Sequence, residues 1–174
     1  MQNYPVRSIV PDGSVIQMMN GGSGAYFQIF NKAGTSLGAR VYYDNFFSTA
    51  GGLGDPVVLY DQLADRWLMS EFGASGNHLY VAISTTPDPT GTWYSYDFTT
   101  PSFPDYPKYS VWNGMYMITT NESSCALYAL DRTKMFVGDG TATSQRFTTA
   151  DYATISFQAT TPVTFDGTTP PPAG

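Results

Sequence analysis

The stretch GDPVVLYDQLADRWLMSEF (54–72) contains two short apolar runs separated by a polar turn. The runs are PVVLYD (56–61) and RWLMSEF (66–72), and both are rich in residues that favour strands, such as Val, Tyr, Trp and Phe. Two such runs joined by a short polar turn predict an antiparallel hairpin. The stretch therefore predicts β structure, and the same pattern extends along the chain in both directions.

Similar runs lie on both sides of this hairpin and alternate with clusters of Gly, Pro, Asn, Asp and Ser. No window of about 15 residues shows a sustained helical period of apolar residues. We therefore predict strands for nearly the whole chain, including 14–20, 25–31, 39–44, 78–84, 92–98, 108–112, 115–121, 125–131, 144–149 and 153–159. Short turns between consecutive strands predict antiparallel sheets.

A period of about 50 residues relates the thirds of the chain to one another. Asp55, which precedes Pro56, lies 50 residues before Asp105. The residues that close the second predicted strand of each third are spaced by 51 and 50, and they are Asn20, Glu71 and Asn121. A four-stranded unit repeated at this period predicts an all-β chain with the β-propeller fold. A β-sandwich with meander connections is the alternative, although it gives no reason for the period.

The predicted propeller has about three four-stranded blades, at residues 12–50, 55–100 and 105–150. Residues 151–167 predict part of a fourth blade, and the Pro-rich residues 168–174 read as a linker or an end. Residues 1–174 are then part of one propeller domain whose ring is incomplete. We expect the remaining blades of a longer polypeptide, or a second copy of the chain, to complete it.

Composition narrows the classes of function. The 174 residues include 8 Lys and Arg against 14 Asp and Glu, so the net charge is −6 and the chain lacks the basic surface that nucleic acids require. One cysteine and one histidine exclude an internal disulfide and a zinc site of several histidines. We expect no membrane insertion, because the apolar runs reach only about half a membrane span. Abundant Gly, Ser and Thr with few charges is typical of extracellular or cell-surface proteins, although the first residues lack the pattern of a signal peptide.

Four stretches resemble a family of large, mostly uncharacterised secreted bacterial proteins that have a repeated, propeller-like domain. They are GDPVVLYDQLADRWLMSEF (54–72), LYVAISTTPDPTGTWYSYDF (79–98), FPDYPKYSVWNGMYMITTN (103–121) and ALDRTKMFVGD (129–139). The resemblance covers most of residues 12–174. It implies a propeller fold, an extracellular location and further blades after a segment like TPVTFDGTTPPPAG, and it implies no established reaction.

Acidic residues from distant parts of the chain are expected to meet at one end of the predicted blades. The first strand of a blade begins where the antiparallel second strand ends, so Asp55 is expected beside Glu71. Asp105 is expected beside Asn121 for the same reason. An aromatic side chain near these strand ends is a candidate for stacking on a sugar ring. This end of the blades would form the mouth of the central channel of the propeller. The residues predicted to bind a ligand at this channel mouth are Asn20, Asp55, Glu71, Asp105, Tyr106 and Asn121.

Three interpretations of the predicted carboxylates stay open. Asp55 and Asp105 can cap the entry turns of their blades by accepting backbone N–H bonds, which is a structural role. Converging carboxylates can hold a polar ligand or a hard cation, and calcium at Asp55 and Asp105 is the one cofactor considered. They can also serve as acid and base in catalysis, for which Asp55, Glu71 and Asp105 are the candidates.

The segment STTPDPTGTW (84–93) resembles the Asp-box turn of sialidase-type propellers and a turn of arabinanase-like glycosidases. The Asp-box resemblance implies that Asp88 bonds turn amides, that Gly91 has a positive φ and that Trp93 packs between strands.

The arabinanase-like resemblance implies a glycoside hydrolase in which Asp55, at the start of an inner strand, is the general base. Glu71 or Asp105 would be its partner. The favoured interpretation is instead a binding or structural scaffold that contacts glycan or another surface ligand through the channel mouth.

Asp61 and Asp65 flank the turn of the quoted hairpin, next to Arg66. We expect a solvated turn here, with a local ion pair worth under about 1 kcal/mol. Asp131 and Arg132 are interpreted in the same way.

Overall fold

The structure is a computed structural model that describes residues 6–9, 13–22, 24–47, 52–73, 77–112, 114–148 and 160–164. These residues form three antiparallel sheets, each of four strands, and this confirms the prediction of an all-β chain. In the described ranges no helix is both long and apolar enough to cross a membrane. The predicted strand 153–159 and the tail 168–174 lie outside the described residues.

Each sheet is built from four strands that are consecutive in the chain. The first sheet consists of β1 (Val6–Ile9), β2 (Ser14–Gly21), β3 (Gly24–Asn31) and β4 (Val41–Tyr42). The second sheet consists of β5 (Gly52–Asp61), β6 (Arg66–Gly73), β7 (His78–Ser84) and β8 (Trp93–Thr99). The third sheet consists of β9 (Asp105–Trp112), β10 (Met115–Asn121), β11 (Cys125–Asp131) and β12 (Ser144–Thr148). The helices are α1 (Tyr43–Phe47) and α2 (Arg132–Met135).

The strands follow one another in space in the order of the chain, so each sheet is a meander. The first strands of the three sheets are neighbours, because β5 contacts β1 on one side and β9 on the other. The predicted strands 78–84, 115–121 and 125–131 have the same bounds as β7, β10 and β11, and this confirms them. The first sheet already begins at Val6, ahead of residue 12, the predicted start of the first unit.

The second sheet is buried on both faces, because the other two sheets pack against it from opposite sides. Along β6, Leu68 and Phe72 belong to the apolar core shared with the third sheet. Trp67 and Met69, which alternate with them, belong to the core shared with the first sheet. These four side chains are at most 6% exposed. The consecutive apolar residues 67–69 of β6 therefore reflect a strand that is covered from two sides.

The predicted strand 39–44 is wrong except at β4 (Val41–Tyr42), because the chain turns into helix α1 directly after this short strand. Tyr43 and Phe47 lie about one helical turn apart, so both rings enter the core between the first and second sheets. The centroid of the Phe47 ring is 5.8 Å from that of Tyr80 on β7. Packing against the second sheet, rather than local strand preference, thus determines the conformation of this segment.

The prediction of a solvated turn at Asp61 and Arg132 is wrong. Asp61 is 0% exposed, and Arg132 donates to both of its carboxylate oxygens at 2.6 and 3.0 Å. The Tyr116 hydroxyl also donates to Asp61 at 2.9 Å. The backbone N–H groups of Leu63 and Ala64 donate to the same carboxylate. This ion pair connects the second sheet to the third across 71 residues of sequence, so no local pattern could reveal it.

Asp88 holds the turn between β7 and β8 in the way that the Asp-box resemblance implies. Its carboxylate accepts hydrogen bonds from the hydroxyl and backbone N–H of Thr90, at 2.7 and 2.8 Å, and they lower the pKa of Asp88. The indole N–H of Trp93 donates to the carbonyl of Pro89 at 3.2 Å. The expectation of a positive φ at Gly91 is wrong, and its N–H donates to the carbonyl of Asp88.

Replacing Arg132 by Met should lower the free energy of unfolding by about 3–5 kcal/mol, because the Asp61 carboxylate is left buried without a counter-charge. Urea unfolding of the variant and the unaltered protein measures this difference. Lys134→Met is the matched control, because its ion pair with Asp131 is long, at 3.9 Å, and partly exposed. We expect that control to lose less than about 1 kcal/mol. Equal losses in the two variants would contradict the role of the buried pair.

Candidate functional site

A β-bulge shapes the beginning of β5, where the first predicted site residue lies. The pairing of β5 with β6 shifts between Gly54 and Val57, so Asp55 and Pro56 together lie opposite Glu71. Asp55 has a φ of 47°, in the left-handed region that residues other than Gly rarely adopt. The bulge therefore holds Asp55 in a defined and strained backbone conformation.

A second bulge lies at the beginning of β9, one residue away from the position that the sequence period predicts. The pairing of β9 with β10 shifts between Asp105 and Lys108, and the bulge contains Tyr106 and Pro107. Tyr106 has a φ of 54°, similar to that of Asp55. The structural counterpart of Asp55 is therefore Tyr106 rather than Asp105. The turn after β5 is longer than the turn after β9, so one fixed period cannot align both strands of the hairpins.

The same offset affects Glu71, which the sequence period aligns with Asn20 and Asn121. The neighbouring Ser70 hydroxyl contacts the hydroxyl of Tyr109 on the third sheet. Because side chains alternate along a strand, Glu71 points the other way, towards the first sheet. Glu71 therefore lies on the face of the second sheet that packs against the first sheet.

Asn20 and Asp55 form a two-way contact between the first and second sheets. The Asp55 backbone N–H donates to Asn20 Oδ1 at 2.9 Å, and Asn20 Nδ2 donates to Asp55 Oδ1 at 3.3 Å. Gly54 makes this approach possible, because a Cβ at that position would clash with Asn20 Oδ1, and its φ is 120°. The structure therefore brings together Asn20 and Asp55, which the sequence placed at one rim.

Lys108 lies near carboxylates of both the second and the third sheet. Burial lowers the pKa of Lys108, and the charges of Asp55 and Asp105 oppose that shift, so both carboxylates lie within electrostatic reach of the ammonium group. Lys108 Nζ lies 3.2 Å from the centroid of the Tyr106 ring. Asn121 Nδ2 donates to Asp105 Oδ2 at 3.4 Å. We call this group the strand-end cluster, and its members are Asn20, Asp55, Asp105, Tyr106, Lys108 and Asn121.

The strand-end cluster combines hydrogen-bond acceptors with an aromatic ring. Its two carboxylates, Asp55 and Asp105, outnumber the single ammonium group of Lys108. Tyr106 is 41% exposed, so part of its ring is open to solvent beside the charged groups. Such an arrangement can accept hydrogen bonds from hydroxyl or ammonium groups and can stack against an apolar ring face.

The calcium site considered at Asp55 and Asp105 has a competitor in the same place. Lys108 already supplies a positive charge within electrostatic reach of both carboxylates, and this disfavours a divalent cation there. Within the ranges that the structure describes, no three His, Cys, Asp or Glu side chains are grouped in a way that could hold a metal ion.

Glu71 does not share the polar contacts of the strand-end cluster. Its side chain is 0% exposed, and neither carboxylate oxygen has a hydrogen-bond partner among the described residues. Burial, followed by the nearby charge of Asp44, raises the pKa of Glu71 from 4.5 to about 8. As a result, the carboxyl retains its proton at neutral pH when no cation is bound.

Glu122 provides the contrast, because it is a buried glutamate with a complete set of partners. Its side chain is 0% exposed and forms an ion pair with Arg146 at 2.7 Å. Hydroxyl groups of Ser102, Thr120 and Tyr128 donate to the same carboxylate. The fold thus satisfies one buried glutamate fully and leaves Glu71 without a partner in the described part of the chain.

Sequence reasoning missed Lys108 and Asp44. Lys108 had a signal, since it is a single lysine at the start of an otherwise aromatic and apolar strand, directly after Pro107. Asp44 had none, because it lies in the segment predicted to be a strand and approaches Glu71 only through helix α1.

Replacing Glu71 by Gln should change the pH dependence of stability in a buffer that contains a chelator. The pKa of Glu71 is raised on folding, so the unfolded chain loses this proton near pH 4.5 and the folded protein near pH 8. The protonated carboxyl therefore makes its full contribution to the unfolding free energy below pH 4.5, and this contribution is lost as the pH rises towards 8. Over this range we expect the unfolding free energy of the unaltered protein to fall by several kcal/mol relative to Glu71→Gln, as measured by urea unfolding.

Glu122→Gln is the control for this experiment, because it makes the same chemical change at the other buried glutamate. It should destabilise the protein by roughly 1–3 kcal/mol, since it replaces the ion pair with Arg146 by a weaker neutral hydrogen bond. Parallel pH profiles for the unaltered protein and Glu71→Gln would contradict the burial of a partnerless carboxyl.

Comparisons with known proteins found no relative of this chain. No protein-family model matches the chain, and neither a curated protein nor a solved structure is similar to it. The resemblance to secreted bacterial proteins therefore stays a prediction, and the functional interpretation depends on the contacts described above.

Proposed function

We propose that the three sheets are consecutive blades of an incomplete β-propeller. Three observations support this proposal: each sheet is a four-stranded meander, the sheets pack face to face in chain order, and their first strands are neighbours. In such an arrangement the first strand of each blade lines the central axis. Further blades of the same polypeptide, or a second copy of the chain, would complete the ring.

The function we propose is that of an extracellular binding or scaffold module that contacts glycan through the strand-end cluster. The observation that carries this proposal is the position of Lys108, which stacks on the partly exposed ring of Tyr106 within electrostatic reach of Asp55 and Asp105. Sugars present hydroxyl groups, which carboxylates accept as hydrogen bonds, and apolar ring faces, which stack on aromatic side chains. The net charge of −6 favours neutral or cationic ligands over anionic ones.

A glycoside hydrolase is the second candidate, with Asp55 as the base and Glu71 or Asp105 as its partner. The observation in its favour is the pKa of Glu71, which burial raises to about 8, because a glycosidase acid must hold a proton at neutral pH. The full burial of Glu71 weighs against it, since an acid must reach the glycosidic oxygen.

Glycan binding is tested with a panel of soluble polysaccharides in affinity electrophoresis. Tyr106→Ala and Asp105→Asn should each weaken saturable binding by roughly tenfold or more, because they remove a stacking ring and a hydrogen-bond acceptor. Far-ultraviolet circular dichroism verifies that both variants fold.

Asp65→Asn is the control for Asp55→Asn in the same assay. Both residues have a positive φ, of 55° and 47°, but Asp65 lies in the turn after β5, away from the strand-end cluster. We expect only Asp55→Asn to weaken binding. Equal binding by all of these variants, or no binding to any polysaccharide, would contradict the proposed function.

Hydrolysis is measured on the same polysaccharides by the release of reducing ends. The binding function predicts no turnover by the unaltered protein. Turnover that Asp55→Asn abolishes and Asp65→Asn retains would replace the binding proposal with the hydrolase.

A further inference from the structure

Two carboxylates outside the strand-end cluster approach each other between the first and second sheets. Glu71 lies on β6 and Asp44 on α1, and both reach Gly52 at the start of β5. Asp44 Oδ1 accepts the Gly52 N–H at 2.8 Å. A Cβ at Gly52 would clash with both carboxylate oxygens of Glu71, so the absence of a side chain there makes room for that carboxylate. Gly52 is thus the common neighbour of the two acids.

No described side chain neutralises this acidic pair. Both oxygens of Glu71 are fully buried and lack a hydrogen-bond donor among the described residues. The ion pairs of the described chain involve other acids, and they are Asp61, Asp97, Glu122 and Asp131. Burying a carboxylate without a partner is costly, and a second carboxylate nearby increases the cost. Either a proton or a cation would lower this cost.

A proton alone does not satisfy Glu71. It removes the charge, but the protonated carboxyl then has an O–H donor and a carbonyl acceptor, and neither finds a partner among the described residues. Glu122 shows what this fold does with a buried glutamate that needs no ion, since hydroxyl groups and Arg146 surround it. A hard cation would satisfy both oxygens of Glu71 and neutralise Asp44 at the same time.

We propose that Glu71 and Asp44 are ligands of a calcium ion bound between the first and second sheets. Calcium takes carboxylate and backbone carbonyl oxygens in irregular numbers, whereas magnesium requires a regular octahedron and retains its waters. The ion would connect α1 to β6 and so strengthen the contact between the two sheets. This proposal goes beyond the proposed binding function and does not depend on it.

The test measures the melting temperature of the whole chain after treatment with a chelator and then in added calcium. The unaltered protein should melt roughly 5–10 °C higher when calcium exceeds its Kd about a hundredfold. Glu71→Gln and Asp44→Asn should lose this shift. Both substitutions preserve the shape of the side chain, and the amide oxygen of an Asn at position 44 can still accept the Gly52 N–H.

Terbium luminescence gives a second readout that does not depend on stability. Terbium replaces calcium at oxygen sites and emits when an excited aromatic ring is close to it. Tyr43 adjoins Asp44 on α1, and its buried ring lies in the core between the first and second sheets, where the ion is proposed. We expect one class of terbium sites that calcium displaces and that Glu71→Gln abolishes.

Two controls make each outcome decisive. Glu122→Gln removes the charge of a buried glutamate that already has its partners, and Asp55→Asn removes a carboxylate of the strand-end cluster. Both should retain the calcium shift and the terbium signal. Loss of the shift in Asp55→Asn but not in Glu71→Gln would place the ion at the strand-end cluster and overturn the proposal. The absence of any calcium effect on melting and of any terbium signal would also overturn it.

Discussion

The burial of the second sheet on both faces is the constraint on which the rest of the structure depends. It leaves every residue of β6 after Arg66 buried and brings one neighbouring sheet to each face. The two ends of β5 then carry the polar contacts to the neighbouring sheets. At one end, Asp61 is bonded to Arg132, the first residue of helix α2, which directly follows β11 of the third sheet. At the other, a bulge turns Asp55 towards Asn20 of the first sheet.

Three buried carboxylates show how differently the fold treats the same chemical group. Asp61 and Glu122 each have an arginine and several further donors, so their charge is compensated where they are buried. Glu71 has no partner among the described residues, although it lies in an equally buried position. Asp61 and Glu122 are therefore structural acids. Glu71 differs from them: either an ion completes its environment, as we propose, or its burial lowers the stability of the fold.

The sequence was sufficient for most strands, because hairpins such as the one that ends with 78–84 depend on local apolar patterns and short turns. It failed where distant packing decides the outcome. Helix α1 forms because its rings pack on the second sheet, and Asp61 is buried because Arg132 lies far away in the chain. Glu71 lies opposite Asp55 in the register, as predicted, but its buried carboxylate makes no hydrogen bond to the strand-end cluster. The pairing of acids with their opposite strand ends could be anticipated, whereas the nearby lysine was missed although Lys108 directly follows Pro107 in the sequence.

The pKa of Lys108, measured by NMR of its ammonium group, tests most directly whether the strand ends of the second and third sheets converge. The account predicts that Asp55→Asn and Asp105→Asn each lower the pKa of Lys108, because both carboxylates favour its charged form. Asp65→Asn, in the turn after β5, should leave that pKa unchanged. A pKa of Lys108 that does not respond to Asp55→Asn would contradict the account.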